Sequence, residues 1–252
     1  MHHRSPLYAL VGAVLLTASA LPATALPASA LDTSYPPPPG PQSGAPGPPT
    51  DENSPEPDAP VTADALLAKV GGCTPVSEGR YRTDQDRPAD VPVCGAKGAV
   101  FWKADLDIDC DGQITDRCNR TTDRWFHADT AFHQSDGKPL NAETLPYVVV
   151  PAPSEIWDYT SSGIRGGAVA AVLYKDRVEY AVVGDTGPAG IIGEASYAAA
   201  QRLGMNPDPS RGGVASGVTY ILFKDSRVTP IESRSAVVEL GQKLAGTFLR
   251  EN

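Results

Sequence analysis

Short runs of β-branched and aromatic residues alternate with Gly-rich and polar segments through much of this chain. Runs of this length and composition predict strands. The runs are Val100–Lys103, Tyr147–Val150, Ala168–Tyr174, Val178–Val183 and Val218–Phe223. The three residues Lys175-Asp176-Arg177 separate the third run from the fourth and predict a tight hairpin. The pattern does not give the order of the strands in a sheet.

Three other segments favour helices. Thr62 is a candidate N-cap for a short helix over Asp64–Val70. The segment Glu194–Leu203 is Ala-rich and stops at Gly204, a common helix terminator. Apolar residues recur at intervals of three and four along Ser235–Arg250, which suits a helix packed on a sheet. The predicted fold class is therefore mainly β with a few peripheral helices.

The first part of the chain has the composition of a secretion signal and a linker. A basic start and the apolar run Leu7–Leu21 precede Ala28-Ser29-Ala30, so residues 1–30 are predicted to be a signal peptide, with Ala23-Thr24-Ala25 as an alternative cleavage site. Eleven of the 25 prolines lie between Pro36 and Pro60, and residues 31–61 are predicted to be a Pro-rich disordered linker. Residues 62–252 then form one folded domain, and we expect a secreted, extracellular protein without a membrane association after signal removal.

The predicted domain is acidic. The whole chain has 30 acidic and 21 basic residues, for a net charge of −9. Among the charged residues, residues 1–30 contain only Arg4, and residues 31–61 contain five acids and no bases. The domain from Thr62 onward therefore has 25 acids and 20 bases, for a net charge of −5. This balance argues against nucleic acid as a partner, because phosphates require a basic patch. It suits a polycationic partner, although acidity for solubility alone is an equal explanation.

Four cysteines remain after the predicted signal, and an even number in an exported chain favours disulfide bonds. Three pairings can be drawn. The pairing Cys73–Cys94 with Cys110–Cys118 closes the two shortest loops and is the one we expect. The intervals lack the CxxC-type spacing of a zinc site, so no zinc is predicted.

Four aspartates alternate with apolar residues between Ala104 and Gly112. In an extended chain one face of this segment presents Asp105, Asp107, Asp109 and Asp111. Carboxylates in a row repel one another, so the row requires either solvation or a cationic ligand. A row of ammonium groups along a β-1,4-linked amino sugar polymer is one candidate. Same-face strand residues recur about every 6.6–6.8 Å, so a row of carboxylates approximately matches a row of ammonium groups with one on each ring.

Calcium is the second candidate ligand for this acidic row, and an exposed strand with no ligand is the third explanation. Asp107, Asp109, Asp111 and Gly112 match the first positions of a calcium loop, but position 12 is Cys118 instead of a bidentate Glu. We therefore predict no metal at the row.

Asp185 and Glu194 flank a segment rich in Gly, Thr and Pro that follows the predicted strand Val178–Val183. Hydrolysis of a glycosidic bond requires two such carboxyls, one protonated to donate to the leaving oxygen and one ionised to activate water. A helix N-terminus would favour the ionised form of Glu194, whereas neighbouring acids would raise its pKa. The sequence leaves open which of the two is the acid, with a slight preference for Glu194 because of the aspartate row.

These segments together resemble glycoside hydrolase family 75, the fungal and actinobacterial chitosanases. The segment from Phe101 to Gly112 resembles the acidic block of that family. Leu145–Pro151 resembles its P-[YF]-x-V-[IV]-P segment. Gly184-Asp185 and Gly193-Glu194-Ala195-Ser196 resemble its catalytic block, in which an Asp and a Glu form the catalytic pair. The resemblance extends from about Val100 to Phe223.

The resemblance implies a secreted endo-chitosanase that hydrolyses β-1,4 bonds of chitosan with inversion, with Asp185 and Glu194 as its catalytic residues. The aspartate row would bind the substrate, and no metal or other cofactor is required. It also implies a β-barrel-like domain, for which the double-psi arrangement is one candidate. The expected partner is chitosan or a glucosamine oligosaccharide, and we expect a monomer. The alternatives are a non-catalytic binding module for cationic or cell-wall polysaccharide and a calcium-stabilised secreted structural protein.

Overall fold

The computed structural model describes residues 60–252, which contain eight strands and three α-helices. The strands are β1 (Thr74–Pro75), β2 (Cys94–Ala96), β3 (Ala99–Asp109), β4 (Tyr147–Pro151), β5 (Val169–Tyr174), β6 (Arg177–Gly187), β7 (Glu194–Ser196) and β8 (Val214–Phe223). The helices are α1 (Ala63–Lys69), α2 (Tyr197–Arg202) and α3 (Arg234–Glu251). The predicted signal peptide, and all but the last two residues of the predicted linker, lie outside the described residues.

Six of the strands form a closed ring. Their order is β3-β7-β4-β6-β5-β8, and β8 pairs back onto β3 in antiparallel register. The ring mixes parallel pairs (β3 with β7, β4 with β6) with antiparallel ones, including the predicted hairpin of β5 and β6. Closure leaves these strands without a free edge. The prediction of a mainly β, barrel-like fold with few helices is confirmed, and its double-psi form stays a prediction.

The two sides of the ring bury separate apolar clusters because successive strand residues point to opposite faces. One cluster takes alternate residues from all six ring strands, including Trp102, Val148 and Leu222, which places them inside the barrel. The other includes Phe101 and Ile221 and lies between the sheet and helix α3.

Helix α3 approaches the sheet closely through a glycine. A Cβ added at Gly241 would lie 2.4 Å from Cδ1 of Tyr180, so a larger residue would push the helix away from β6. Val237, Ala245 and Phe248 on the same helix are buried against the outer cluster. This packing confirms the helix that apolar spacing predicted. Within residues 60–252 no helix combines the length and apolar character needed to cross a bilayer.

Two element boundaries differ from the predicted ones in ways that affect the site. Strand β3 continues from the predicted run through Asp109, so the aspartates belong to a strand of 11 residues. The predicted helix Glu194–Leu203 begins only at Tyr197, because Glu194–Ser196 pairs with β3 as strand β7. The Ser196 hydroxyl accepts a hydrogen bond from the backbone N–H of Ala199 and so caps α2.

Candidate active site

Parallel pairing of β3 with β7 places Glu194 beside the acidic row. Asp107 is the register partner of Glu194, and Asp109 is the partner of Ser196. The Asp107 N–H donates to the Gly193 carbonyl at 2.8 Å, which fixes the two strands at this point. Glu194 is therefore held by sheet hydrogen bonds and does not lie at a helix N-terminus. The expectation that a helix dipole would favour the ionised form of Glu194 is wrong.

Asp185 lies within strand β6 and is buried. Its Oδ1 accepts hydrogen bonds from the backbone N–H groups of Ala131 (2.8 Å) and Thr186 (2.7 Å). Burial raises the pKa of Asp185, while these two donors act in the opposite direction by favouring the ionised form. This carboxyl therefore has a fixed orientation and two groups that stabilise its negative charge.

The structure divides the acidic row into two clusters. In the first, Asp109, Asp111 and Asp185 each place a carboxylate oxygen within 4.8 Å of the other two. Asp109 is the last residue of β3, so Asp111 reaches the cluster through a turn and not through strand alternation. The turn is fixed by hydrogen bonds from the Asp111 N–H to Asp109 Oδ1 (2.7 Å) and from the His127 N–H to Asp111 Oδ1 (2.6 Å).

The second cluster lies at the other end of the row and includes a residue that the sequence did not single out. Asp84 joins Asp105 and Asp107, again with one carboxylate oxygen of each within 4.8 Å of the others. Asp84 comes from a loop without periodicity or a motif, so no sequence signal places it near β3. Both clusters offer the carboxylate oxygens that hard divalent cations take as ligands.

Burial, and after it the charges of neighbouring acids, raise the pKa of all six predicted acidic site residues. Burial, followed by the charges of Asp107, Asp111 and Asp185, raises the pKa of Glu194 to about 7. Similar effects, with burial first, raise the pKa of Asp105 to about 7 and that of Asp111 to about 6. Within residues 60–252, no salt bridge involves any of these groups.

The remaining two of the six acids follow the same trend. Burial, then the charges of Asp111 and Asp185, raises the pKa of Asp109 well above its ordinary value. Burial, then the charge of Asp84, raises the pKa of Asp107. The six predicted residues thus form one electrostatically coupled group, since Glu194 interacts with members of both clusters.

Tyr147 and a disulfide bond stabilise the turn from Asp109 to Asp111, called here the acidic turn. Tyr147 is fully buried, and its hydroxyl donates to the Asp111 carbonyl at 3.0 Å. Cys110, within the turn, is bonded to Cys118, and Cys73 is bonded to Cys94, which is the pairing that the shortest loops favoured. The supporting role of Tyr147 was not recognised from the sequence.

Comparison with known proteins shows which family this chain resembles. The family model described as fungal chitosanase of glycosyl hydrolase group 75 matches residues 106–244. "Endo-chitosanase C" of Aspergillus oryzae is 31% identical over 141 residues, which are 54% of this chain and 34% of that protein. "Endo-chitosanase" of Aspergillus fumigatus is 29% identical over 176 residues, 64% of this chain and 74% of that protein. The chain thus spans only about a third of the length of the first of these relatives.

A solved structure, the Streptomyces papain inhibitor, aligns with 54% of this chain and 100% of its own, with a TM-score of 0.31 and 19% identity. That likeness is too slight to bear on function. The family match is different in kind, because it covers more than half of the 252 residues and includes Asp107, Asp185 and Glu194. The chain belongs to glycosyl hydrolase group 75, the family of the fungal chitosanases.

Proposed function

We propose that this protein is an endo-chitosanase that hydrolyses β-1,4-glycosidic bonds of chitosan by an inverting acid–base mechanism. The single observation that carries the proposal is the convergence of Asp185, Glu194 and the aspartate row on one coupled site. A polymer with an ammonium group on each ring supplies the positive charge that this site lacks. The names of the relatives support the same substrate.

Glu194 is the proposed general acid. Because its pKa is raised to about 7, its carboxyl is about half protonated at neutral pH and largely protonated in mildly acidic solution, as proton donation to the leaving oxygen requires. Asp185 is the proposed general base, because two backbone N–H groups stabilise its ionised form. Asp111 is a poorer partner for Asp185: their carboxylate oxygens lie within 4.8 Å, less than the ~6.5–9.5 Å that an inverting pair uses to admit water.

Asp105, Asp107, Asp109 and Asp111 are the proposed substrate-binding residues. Asp107 is the register partner of Glu194; Asp105 precedes it along the chain, and Asp109 and Asp111 follow it. Ionised aspartates would accept charge-assisted hydrogen bonds from glucosamine ammonium groups. Binding would also reduce the repulsion that raises the pKa values of these acids, so substrate and site stabilise each other.

The remaining parts of the proposal concern the whole chain. Residues 1–30 are the proposed secretion signal, 31–61 the proposed linker and 62–252 the proposed catalytic domain of an extracellular monomer. The two disulfide bonds support an oxidising compartment.

The direct test is a reducing-sugar assay on chitosan with Asp185→Asn and Glu194→Gln. Each variant should lose at least ~10²-fold in kcat, because each removes one proton-transfer group. The exposed Glu155→Gln is the matched control and should keep full activity. NMR of the first product should show the anomeric configuration inverted. Full activity in both site variants would disprove the assignment.

The same proteins separate the two alternatives. A non-catalytic binding module would bind glucosamine oligomers without releasing reducing ends. A calcium-stabilised protein would show a large fall in melting temperature on addition of EDTA. The calcium-loop explanation is disfavoured by the fold, because Asp107 and Asp109 belong to a β-strand and not to a loop between two helices.

A further inference from the structure

A hairpin next to Asp185 supplies one of the two hydrogen bonds to its carboxylate. His133 and Pro139 pair as an isolated antiparallel bridge, so the chain turns back between them. The segment that contains this bridge is called here the 130–140 hairpin. Near its start, the Ala131 N–H donates to Asp185 Oδ1 at 2.8 Å. The hairpin therefore contacts the proposed base directly.

The Ala131 hydrogen bond is the one through which a distant segment acts on Asp185. The second donor to Oδ1 is the N–H of Thr186, the next residue, which moves together with Asp185. Ala131 is 54 residues away in the sequence. Both N–H groups donate to Oδ1, and among the described residues no hydrogen bond reaches Oδ2. Oδ2 is therefore the oxygen that remains to take a proton from water.

Thr130 ties the two arms of the hairpin together at its base. Only 5% of the residue is exposed. Its hydroxyl accepts a hydrogen bond from the N–H of Leu140 at 2.9 Å and donates one to the carbonyl of Phe132 at 2.8 Å. Ala131 lies between Thr130 and Phe132, so the second of these bonds closes a ring that contains the Ala131 N–H. The direction of that N–H thus depends on the Thr130 hydroxyl.

Leu140 connects this tie to the residue before Asp185 and to the acidic turn. A Cβ added at Gly184 would lie 2.7 Å from Leu140 Cδ1, so the leucine side chain packs on the backbone of β6. The Leu140 carbonyl accepts a hydrogen bond from the N–H of Gln113, two residues beyond the acidic turn, at 2.9 Å. The Thr130 hydroxyl therefore fastens the hairpin to a part of the site that is itself fixed.

We propose that Thr130 is a positioning residue that holds the Ala131 N–H on Oδ1 of Asp185 and so keeps Oδ2 directed at the water to be activated. The inference rests on the proposed function, in which Asp185 is the general base. A base must lie within hydrogen-bond reach of the proton that it removes, and side chains around it hold it there. Without the hydroxyl, the exposed Ala131 would exchange its bond to Asp185 for one to water.

The test compares Thr130→Val with Thr130→Ser in the whole protein acting on chitosan. Valine removes the hydroxyl and keeps the branched shape, whereas serine keeps the hydroxyl and removes a methyl group. Thr130→Val should lower kcat about 10-fold, the effect of weakening one charge-assisted hydrogen bond to the base. KM should stay within about twofold, because the buried hydroxyl contacts only protein groups. Thr130→Ser should keep kcat within about threefold of the wild-type value.

Thr219→Val is the matched control. Thr219 is a buried threonine on β8, with 3% of the residue exposed, and its replacement deletes the same hydroxyl away from the hairpin. This variant should match the wild type in kcat and KM. Wild-type kcat in Thr130→Val would overturn the proposal. An equal loss in Thr130→Ser or in Thr219→Val would also overturn it, since either result assigns the loss to general packing and not to this hydroxyl.

A second variant covers a failure of Thr130→Val to fold. Thr130→Ala also lacks the hydroxyl, and it leaves room for a water molecule at the Leu140 N–H and the Phe132 carbonyl. The far end of the hairpin is held independently, because Glu232 accepts hydrogen bonds from the N–H and hydroxyl of Ser135. Thr130→Ala should show the same fall in kcat with an unchanged KM, and wild-type kcat in this variant would overturn the proposal.

Hydrogen exchange of the Ala131 amide, followed by NMR, keeps this inference separate from the proposed function. Ala131 is exposed, so its hydrogen bond to Asp185 is what protects the amide from exchange. Exchange should be about 10-fold faster in Thr130→Val than in the wild type, Thr130→Ser or Thr219→Val. If the wild type does not cleave chitosan, the proposed function fails and this measurement still tests the tie. Equal exchange in Thr130→Val and the wild type would overturn it.

Discussion

Replacing Glu194 by Gln should stabilise the folded protein at alkaline pH while it abolishes catalysis. Burial and three neighbouring carboxylates raise the pKa of Glu194 from 4.5 to about 7. The folded protein therefore holds this proton more tightly than the unfolded chain. The resulting contribution to stability is complete below about pH 4.5 and is lost as the pH rises through about 7. The difference between the two pKa values corresponds to about 3 kcal/mol at pH 8, and Gln avoids this loss because it is neutral at every pH.

The assay is thermal unfolding of wild type and Glu194→Gln at pH 4, 6 and 8. We expect no difference at pH 4 and, for a domain of this size, a melting temperature about 6–12 °C higher for the variant at pH 8. The exposed Glu155→Gln makes the same chemical change and should give no such trend. A gain of equal size at pH 4 and pH 8, or no gain at pH 8, would refute the electrostatic argument.

Three other changes test the site. The rate of chitosan cleavage should decline on the alkaline side with an apparent pKa near 7, because the proposed acid must be protonated. A rate that does not change up to pH 9 would contradict this. Serine at both Cys110 and Cys118 should lower the free energy of unfolding by about 2 kcal/mol. It should also lower activity by loosening the acidic turn, and unfolding curves with parallel assays check both effects. Alanine at Gly193 should reduce stability and activity because its Cβ would lie 2.0 Å from Asp105 Oδ1. Alanine at Gly190, where an added Cβ would have no heavy atom within 4 Å other than those of its chain neighbours, should be neutral in both measurements.

The local pattern of the sequence predicted the parts of the site that depend on the backbone of a single strand. Alternation of Asp with apolar residues correctly indicated an extended segment, since period-2 patterning reports directly on the two faces of a strand. The same pattern could not extend to Asp111, which reaches the cluster through a turn beyond β3. Hydrogen bonds to backbone groups, invisible in side-chain periodicity, decide that geometry.

Contacts between distant segments account for what the sequence could not give. Local composition extended the Ala-rich helix back to Glu194, but pairing with Asp107 takes that residue into a strand. The N-cap at Ser196 marks the start of the helix in the structure. In the sequence a single capping serine is a weaker signal than the run of alanines, so it did not set the predicted boundary. Asp84 lies in an irregular loop, so only the folded chain reveals that it faces Asp105.

Ring closure between β3 and β8 has a consequence for how the protein fails on heating. The strands that hold the proposed catalytic residues, β6 and β7, and the strand β3, which holds three of the proposed substrate-binding aspartates, are members of the closed ring. Their hydrogen bonds cannot be released from a free edge, so fraying of these strands offers no route to a folded form in which Asp185 and Glu194 are displaced. Inactivation and loss of tertiary structure should thus occur together, as a single cooperative event.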